Sequence, residues 1–161
     1  IISMIVFSWR QKISLLRLSD IMACTVPIGL FFGRIANFIN AELYGRAAEN
    51  VPWAVIFPHS DGMPRHPSQL YQAALEGALL FAILWLISRM DWVRVHVGLR
   101  AGLFLVLYGV FRAFSEFFRE PDAHIGFLFD WVTMGQILCV PMILIGAGLC
   151  AYAVKRARPN A

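Results

Sequence analysis

The stretch IMACTVPIGLFFGRIANFINAELYGR, residues 21–46, joins an apolar run to a polar one without a turn signal between them. Residues 21–39 come close to the roughly 20 apolar residues that a helix needs to cross a membrane. The far end of the stretch carries Arg34, Asn37, Asn40 and Glu42. An arginine at membrane depth costs at least about 2.5 kcal/mol on insertion scales, so its presence there indicates a function. The stretch therefore predicts a membrane helix that ends in a functional site.

The composition is that of an integral membrane protein. Of the 161 residues, 59% are hydrophobic and 15% are charged, against roughly 45–50% and 25% in soluble domains. The mean hydropathy is +0.65. Charged residues cluster in the loops between apolar segments, and the basic loops account for the net charge of +4. That charge therefore does not indicate binding of nucleic acid.

Four apolar segments qualify as membrane spans, and the first nine residues resemble the end of a fifth. The four segments are residues 21–39, 73–88, 98–118 and 131–154. The second of them is short unless its helix begins near residue 67. The predicted fold is an all-α, polytopic transmembrane helix bundle. It forms a single integral membrane domain over residues 1–161, with loops at residues 40–72 and 119–130.

The chain begins IISMIVFSW, with no initiator Met and no basic region before the apolar run. A secretory signal would place basic residues first, whereas here they follow. We therefore expect an N-terminally truncated fragment, the C-terminal part of a longer chain. A short N-terminal anchor is the alternative.

Three clusters of basic residues lie in every second loop between the apolar segments, the last of them after the final segment. They comprise Arg10, Lys12 and Arg17, then Arg89, Arg94 and Arg100, and finally Lys155, Arg156 and Arg158. Short cytoplasmic loops retain Lys and Arg, so all three clusters can face the cytoplasm at once. The loops at residues 40–72 and 119–130 are then expected on the opposite side.

A second apolar segment, residues 102–122, carries a stripe of polar side chains. Tyr108, Arg112, Glu116 and Arg119 are spaced by four, four and three residues, which puts them on one face of a helix. Such a stripe must face protein or a wet cavity. An internal pair of Arg112 with Glu116 that neutralises itself is the alternative for this stripe alone.

Arg34 has no acidic residue three or four positions away on its own helix, so its partner must come from another helix or from a ligand. It shares a helix face with Asn37 and Asn40. The planar fork of arginine holds phosphate oxygens through two parallel hydrogen bonds, and the abundant anion at this depth is a phospholipid headgroup. Two such stripes favour a lipid-processing enzyme. The alternatives are a transporter of lipids or small solutes and a structural membrane subunit with self-paired charges.

His66, near the start of RHPSQLYQAALEG at residues 65–77, is the candidate general base because an imidazole titrates near neutrality. A structural role is its alternative. Cys24, Cys139 and Cys150 lie in apolar runs, where a free thiol behaves as a small hydrophobe, and their odd number argues against a disulfide framework. No Cys or His pair has the spacing of metal ligands on one face, so we predict neither a metal site nor a cofactor.

These residues carry a resemblance to a known family. GRIANFINAELYGR, residues 33–46, resembles the signature of the prolipoprotein diacylglyceryl transferases, whose pattern is close to G-R-x-G-N-F-x-N-x-E-x-x-G. RHPSQLYQAALEG is similar to the family's second block, and YGVFRAFSEFFREPD with MGQILCVPM is similar to its C-terminal region. The match runs in order from near residue 20 to near residue 150. Ala36 stands where the family usually has Gly.

The resemblance implies transfer of the sn-1,2-diacylglyceryl group from phosphatidylglycerol to the lipobox cysteine thiol of a prolipoprotein, giving a thioether and glycerol 1-phosphate. It implies a multi-pass protein of the bacterial inner membrane with its active site toward the periplasm. The implied partners are phosphatidylglycerol, prolipoprotein lipobox peptides and membrane lipid. The family's N-terminal part, with a His-Gly-Gly block and a tyrosine, is missing here. We therefore expect the chain to lack part of the active site, which puts its activity on its own in doubt.

The same resemblance assigns individual residues. Arg34 is similar to the family's phosphatidylglycerol-binding arginine, and it belongs to the signature together with Asn37, Glu42 and Gly45. Arg112, Glu116 and Arg119 resemble the family's second essential polar cluster. The expected catalytic residues are Arg112, Glu116, Asn37, Glu42 and His66. The expected substrate-binding residues are Arg34, Asn37, Asn40, Gly45, Tyr108 and Arg119.

Overall fold

The computed structural model describes residues 2–58, 60–120 and 133–157, and within these ranges the chain is helical with no strand. The helices are α1 (Ile2–Gln11), α2 (Leu15–Ile39), α3 (Ser68–Ile87), α4 (Asp91–Val95), α5 (Leu99–Ser115) and α6 (Met134–Ala157). The all-α prediction is confirmed for the described part of the chain.

Three of these helices are long and apolar enough to cross a membrane: Leu15–Ile39, Ser68–Ile87 and Met134–Arg156. The predicted span at residues 73–88 does begin earlier, at Ser68, as its length required. Helix α5 occupies the predicted span at residues 98–118 but has 17 residues, fewer than the roughly 20 of a usual span. Residues 131 and 132 of the last predicted span, residues 121–130 of the predicted loop and Arg158 lie outside the described residues.

Helix α2 stops abruptly at the polar end of its sequence. Asn40 caps it with a backbone N–H bond to the carbonyl of Ala36 at 2.9 Å. Ala41 and Leu43 then adopt positive φ angles of 55°, a left-handed conformation that ends helices and is unusual for residues other than glycine. Glu42 therefore lies beyond the helix, in the turn that follows it.

The segment between α2 and α3 is folded around Arg65. Isolated β-bridges pair Arg65 with both Ala47 and Val55. Its buried guanidinium makes two hydrogen bonds to Asp61, at 3.2 and 2.9 Å, and it also contacts the carboxylate of Glu120. Hydrogen bonding from Arg65 lowers the pKa of Asp61 below its ordinary value. The guanidinium of Arg65 thus joins this segment, called the covering segment below, to Glu120 after α5.

Helices α5 and α6 make the most extensive contact in the bundle, and glycines allow it. A Cβ atom on Gly102 would lie 2.9 Å from the carbonyl oxygen of Gly146, and one on Gly146 would lie 2.8 Å from that of Gly102. Two backbones in such contact need residues without side chains. At Gly29 and Gly33, by contrast, an added Cβ atom would have nothing within 4 Å, so these two glycines do not mark a close helix contact.

Helix α3 contains a π-helical segment, Ala73–Leu79, between its two α-helical parts. Gly77 lies in this segment, and a Cβ atom there would be 2.8 Å from the Cα of Phe31 on α2. The backbones of α2 and α3 therefore touch beside Glu76, which is fully buried. A π-helical turn is rare and frequently lies at a functional site.

Candidate functional site

A buried carboxylate, Glu76, lies between the two arginines that the sequence singled out. Its side chain is 0% exposed, and its Oε2 is 3.4 Å from Nη2 of Arg34. Its Oε1 is 3.7 Å from Nη1 of Arg112. Arg34 comes from α2 and Arg112 from α5, so three helices meet at this one group. The structure thus brings the two arginines together, and the partner of Arg34 comes from another helix.

A second carboxylate extends the cluster along α5. Glu116 has a side chain that is 5% exposed, with its Oε2 at 3.2 Å from Nη2 of Arg112 and at 3.9 Å from Nη1 of Arg119. Arg112 therefore bridges two carboxylates. The pairing of Arg112 with Glu116, the alternative considered for this stripe, exists, but it is one contact in a row of alternating charges. The charged cluster, made of three arginines and two glutamates, has a net charge of +1.

Buried polar atoms without a hydrogen bond concentrate at this cluster. Seven such side-chain atoms occur in the described ranges. Six of them belong to the charged cluster or to parts of α3 and α5 within two turns of it. The six are Gln69 Oε1, Gln72 Nε2, Glu76 Oε1, Arg112 Nη1, Ser115 Oγ and Glu116 Oε2. The atoms of Glu76, Arg112 and Glu116 are held in the ion pairs described above, whereas those of Gln69, Gln72 and Ser115 have no hydrogen-bond partner. An unsatisfied buried polar group costs about 1–3 kcal/mol, so these three atoms favour a site that binds a polar ligand.

Sequence reasoning missed Glu76, Gln69 and Gln72, although a signal for them exists. The three residues are spaced by three and four positions in residues 65–77, which places them on one face of a helix. All three are at most 1% exposed.

Gly135 was also missed. It lies in the first turn of α6, where a Cβ atom would be 2.8 Å from the carboxyl carbon of Glu116.

Asn37 lies near Arg34, while Asn40 and Glu42 do not join the charged cluster. Arg34 and Asn37 line a cavity of about 200 Å³ beside α2, together with Gly29, Leu30 and Gly33. Asn40 and Glu42 are exposed, and within the described ranges their side chains make no hydrogen bond or ion pair. The backbone carbonyl of Glu42 accepts a bond from Gln69 Nε2 at 2.6 Å.

Gly45 lies in a backbone contact that no side chain could enter. Its N–H donates to the carbonyl of His66 at 2.9 Å, and a Cβ atom there would lie 2.7 Å from the same oxygen. Arg46 donates its N–H to the carbonyl of Phe118 at 3.0 Å. Packing is therefore sufficient reason for a glycine at this position.

His66 belongs to an aromatic group beside the cluster. Its Nδ1 is 3.2 Å from the hydroxyl oxygen of Tyr71, which accepts a hydrogen bond from Trp53 Nε1 at 2.7 Å. Its ring also meets that of Phe118 edge to face at 5.5 Å. Within the described residues His66 makes no ion pair with the charged cluster. Tyr108 lies one turn before Arg112 and stacks on Phe104 at 5.7 Å.

Comparison with known proteins gives consistent matches. The family model "Prolipoprotein diacylglyceryl transferase" matches residues 1–152. Three relatives carry the name phosphatidylglycerol–prolipoprotein diacylglyceryl transferase. The protein of Azospirillum brasilense is 54% identical over 96% of this chain and 58% of its own length. That of Paramagnetospirillum magneticum is 51% identical over 97% and 58%, and that of Rhodospirillum centenum is 55% identical over 94% and 55%. The chain thus spans just over half the length of these relatives.

Proposed function

The chain belongs to the prolipoprotein diacylglyceryl transferase family, and from this we propose that it carries the lipid-phosphate site of such an enzyme. In this proposal the full-length enzyme transfers the sn-1,2-diacylglyceryl group of phosphatidylglycerol to the lipobox cysteine thiol of a prolipoprotein. The relatives' printed names support the two substrates. The observation that carries the assignment is the meeting of Arg34 and Arg112 at one buried carboxylate.

The proposed reaction is a displacement at the glycerol carbon that bears the phosphate ester. The sulfur of the substrate thiolate forms a bond to this carbon while the bond from carbon to the ester oxygen breaks. Glycerol 1-phosphate leaves with the electron pair, so negative charge grows on the phosphate as the reaction proceeds. Guanidinium groups placed around that phosphate bind the transition state more strongly than the lipid itself, which is the condition for catalysis.

Glu76 and Glu116 prepare the arginines for this role. The side chains of Arg34, Arg112 and Arg119 are 15–17% exposed, so part of each remains accessible while the carboxylates hold the guanidinium groups in place. Groups fixed before the substrate arrives need no reorganisation during the reaction. The cluster's net charge of +1 also matches the single negative charge of a phosphodiester.

The other expected site residues receive roles within the same proposal. Asn37 shares a cavity with Arg34 and is assigned to the lipid headgroup, with Asn40 and Tyr108 beside it. Gly45 holds the covering segment close to the site through its backbone contacts. Glu42 and His66 are the candidate proton acceptors for the substrate thiol within this chain, since a thiol must lose its proton to attack well.

For the topology, we propose a multi-pass protein of the bacterial inner membrane with four full spans, formed by α2, α3, α5 and α6. Clusters of basic residues support a cytoplasmic position for the loops at the start of α2, around α4 and after α6. Arg34, Glu76 and Arg112 lie toward the opposite ends of their helices. The charged cluster then faces the periplasmic side.

The substitutions Arg34→Lys and Arg112→Lys in the full-length enzyme test the proposed function. Lysine keeps the charge but loses the two-pronged geometry, so we expect transfer to fall at least about a hundredfold, the loss seen on removing one transition-state donor. The measurement is the mass gain of a lipobox peptide incubated with phosphatidylglycerol. Arg94→Lys is the control, because Arg94 is 65% exposed and paired with an exposed aspartate.

Normal transfer by both lysine variants would refute the phosphate assignment. It would also favour the structural alternative, in which the Arg34–Glu76 and Arg112–Glu116 pairs serve packing alone.

A further inference from the structure

Asp20 links helix α2 to the start of helix α5, far from the charged cluster. It is 1% exposed, and its Oδ2 accepts the backbone N–H of Gly98 at 2.8 Å while its Oδ1 accepts that of Ala101 at 2.9 Å. The first backbone N–H groups of a helix have no partner inside it. Asp20 therefore supplies, from a different helix, the cap that Gly98 cannot supply because it has no side chain.

Asp20 makes the direct polar contacts between α2 and the region of α5. In the described ranges, every hydrogen bond and ion pair that joins α2 directly to residues 98–115 involves Asp20. The third of these contacts is to Arg100, whose Nη2 is 3.9 Å from Oδ2. Apolar contacts are non-directional, whereas hydrogen bonds weaken steeply with distance and angle. The two hydrogen bonds of Asp20 therefore define the axial position of α2 against the start of α5.

Both arginines lie at a similar distance along their helices from the contact of Asp20 with the start of α5. Arg34 follows Asp20 by fourteen residues along α2. Arg112 follows Gly98, the residue before α5, by fourteen residues and Ala101 by eleven. With the same rise per residue, each arginine lies at most about 21 Å from the link. Both helices run in the same direction from this point, because both arginines reach the same carboxylate at the other end. The similar spacing from one contact is consistent with both guanidinium groups reaching Glu76.

We propose that Asp20 is a positioning residue, which fixes the axial register of α2 against α5 so that Arg34 and Arg112 address a single phosphate. The inference rests on the proposed function of the arginines. A slip of one residue moves one arginine by about 1.5 Å along the axis and turns it by about 100°. The ion pairs to Glu76, at 3.4 and 3.7 Å, already lie near the long end of such contacts, so a smaller shift suffices to separate the arginines from a common anion.

The test uses Asp20→Asn in the full-length enzyme, because asparagine has the same shape but can accept only one of the two backbone bonds. A misplaced catalytic group lowers the rate of the chemical step more than it weakens substrate binding. We expect kcat to fall by about ten- to a hundredfold while KM for phosphatidylglycerol changes by less than about threefold. Asp91→Asn, at a residue with a 96% exposed side chain, is the matched control and should leave both constants unchanged.

A double substitution separates positioning from general destabilisation. If Asp20 acts through Arg112, then Asp20→Asn in an Arg112→Lys background should lower kcat by less than about threefold more, because the geometry that it protects is already lost. Multiplied losses of kcat would overturn the inference, and so would a lower melting temperature with an unchanged kcat. Hydrogen exchange at the amides of Gly98 and Ala101 should quicken in Asp20→Asn, and unchanged exchange would also overturn it.

Different results contradict the proposed function and the positioning role of Asp20. An unsubstituted full-length enzyme that transfers no diacylglyceryl group contradicts the proposed function. An active enzyme whose Asp20→Asn variant is equally active contradicts only the positioning role.

Discussion

At the level of single residues, the cluster depends on Glu76. A carboxylate with no exposed side-chain surface is tolerated because two guanidinium groups neutralise it, and the arginines depend on it in turn. Breaking a buried ion pair by removing one partner costs about 3–5 kcal/mol, since the remaining charge is left without compensation. The protein therefore holds its arginines with an internal anion, and in the proposed function the lipid phosphate is a second one.

The first prediction concerns Glu76→Gln, which keeps the size of the side chain and removes its charge. We expect a loss of stability of about 3 kcal/mol, at the low end of that range because the arginines are partly exposed. Phosphatidylglycerol should recover a larger part of the melting temperature in this variant than in the unsubstituted protein, because its phosphate replaces the missing anion.

The measurement is a thermal melt of the full-length protein in detergent, with and without phosphatidylglycerol. Glu49→Gln serves as the control, since Glu49 is exposed in the covering segment. A melting temperature that is equal in Glu76→Gln and in the control would contradict this account of the cluster.

The sequence revealed some of these residues and not others for a physical reason. Arg34, Arg112, Glu116 and Arg119 are visible because charges inside apolar runs are costly, and helical spacing sorts three of them onto one face. Glu76 was not identified as a site residue because its partners lie on two other helices, and the pairing of helices is not written in the periodicity of one segment. Gly135 was missed for the same reason, since its close neighbour is a carboxyl group on α5.

At the level of the helices, α3 shows what periodicity can and cannot predict. The apolar run at residues 73–88 predicted a helix that was too short unless it began near residue 67, and it begins at Ser68. The π-helical segment Ala73–Leu79 was not predicted, because it depends on how α3 packs against α2. For α5, the predicted range of residues 98–118 exceeds the observed Leu99–Ser115.

The second prediction concerns Gly77, in the π-helical segment of α3. Gly77→Ala would place a Cβ atom 2.6 Å from Cβ of Phe31 and 2.8 Å from its Cα, so the backbones of α2 and α3 must separate. We expect a loss of about 1–3 kcal/mol, as for other overpacked contacts, and reduced transfer because Glu76 moves away from Arg34.

Gly148→Ala on α6 is the matched control, since nothing lies within 4 Å of a Cβ atom there. Alanine has the higher helix propensity, so this variant should be as stable as the unsubstituted protein or slightly more stable. Melting temperature and transfer activity are measured on both variants. A Gly77→Ala protein indistinguishable from Gly148→Ala would show that the close contact of α2 with α3 is unimportant.

At the level of the whole molecule, three helices in the described ranges have the length and hydropathy of membrane spans. Two of them, α2 and α3, form the charged cluster together with α5. Many large apolar side chains are exposed, among them Ile2 at 79%, Ile39 at 75% and Leu144 at 67%, as expected for surfaces that contact lipid. The sequence predicted this class of fold from composition and from segment length. The order in which the helices pack, and the meeting of three of them at Glu76, required the structure.

The central claim is that two arginines from separate helices hold one lipid phosphate. The most direct test measures the affinity of full-length protein for phosphatidylglycerol in four forms: unsubstituted, Arg34→Lys, Arg112→Lys and the double variant. Groups that act on one phosphate are coupled, so we predict that the double variant binds no more than about threefold more weakly than the weaker single variant. If the two single losses instead multiply in the double variant, the arginines act independently, and the shared phosphate site is contradicted.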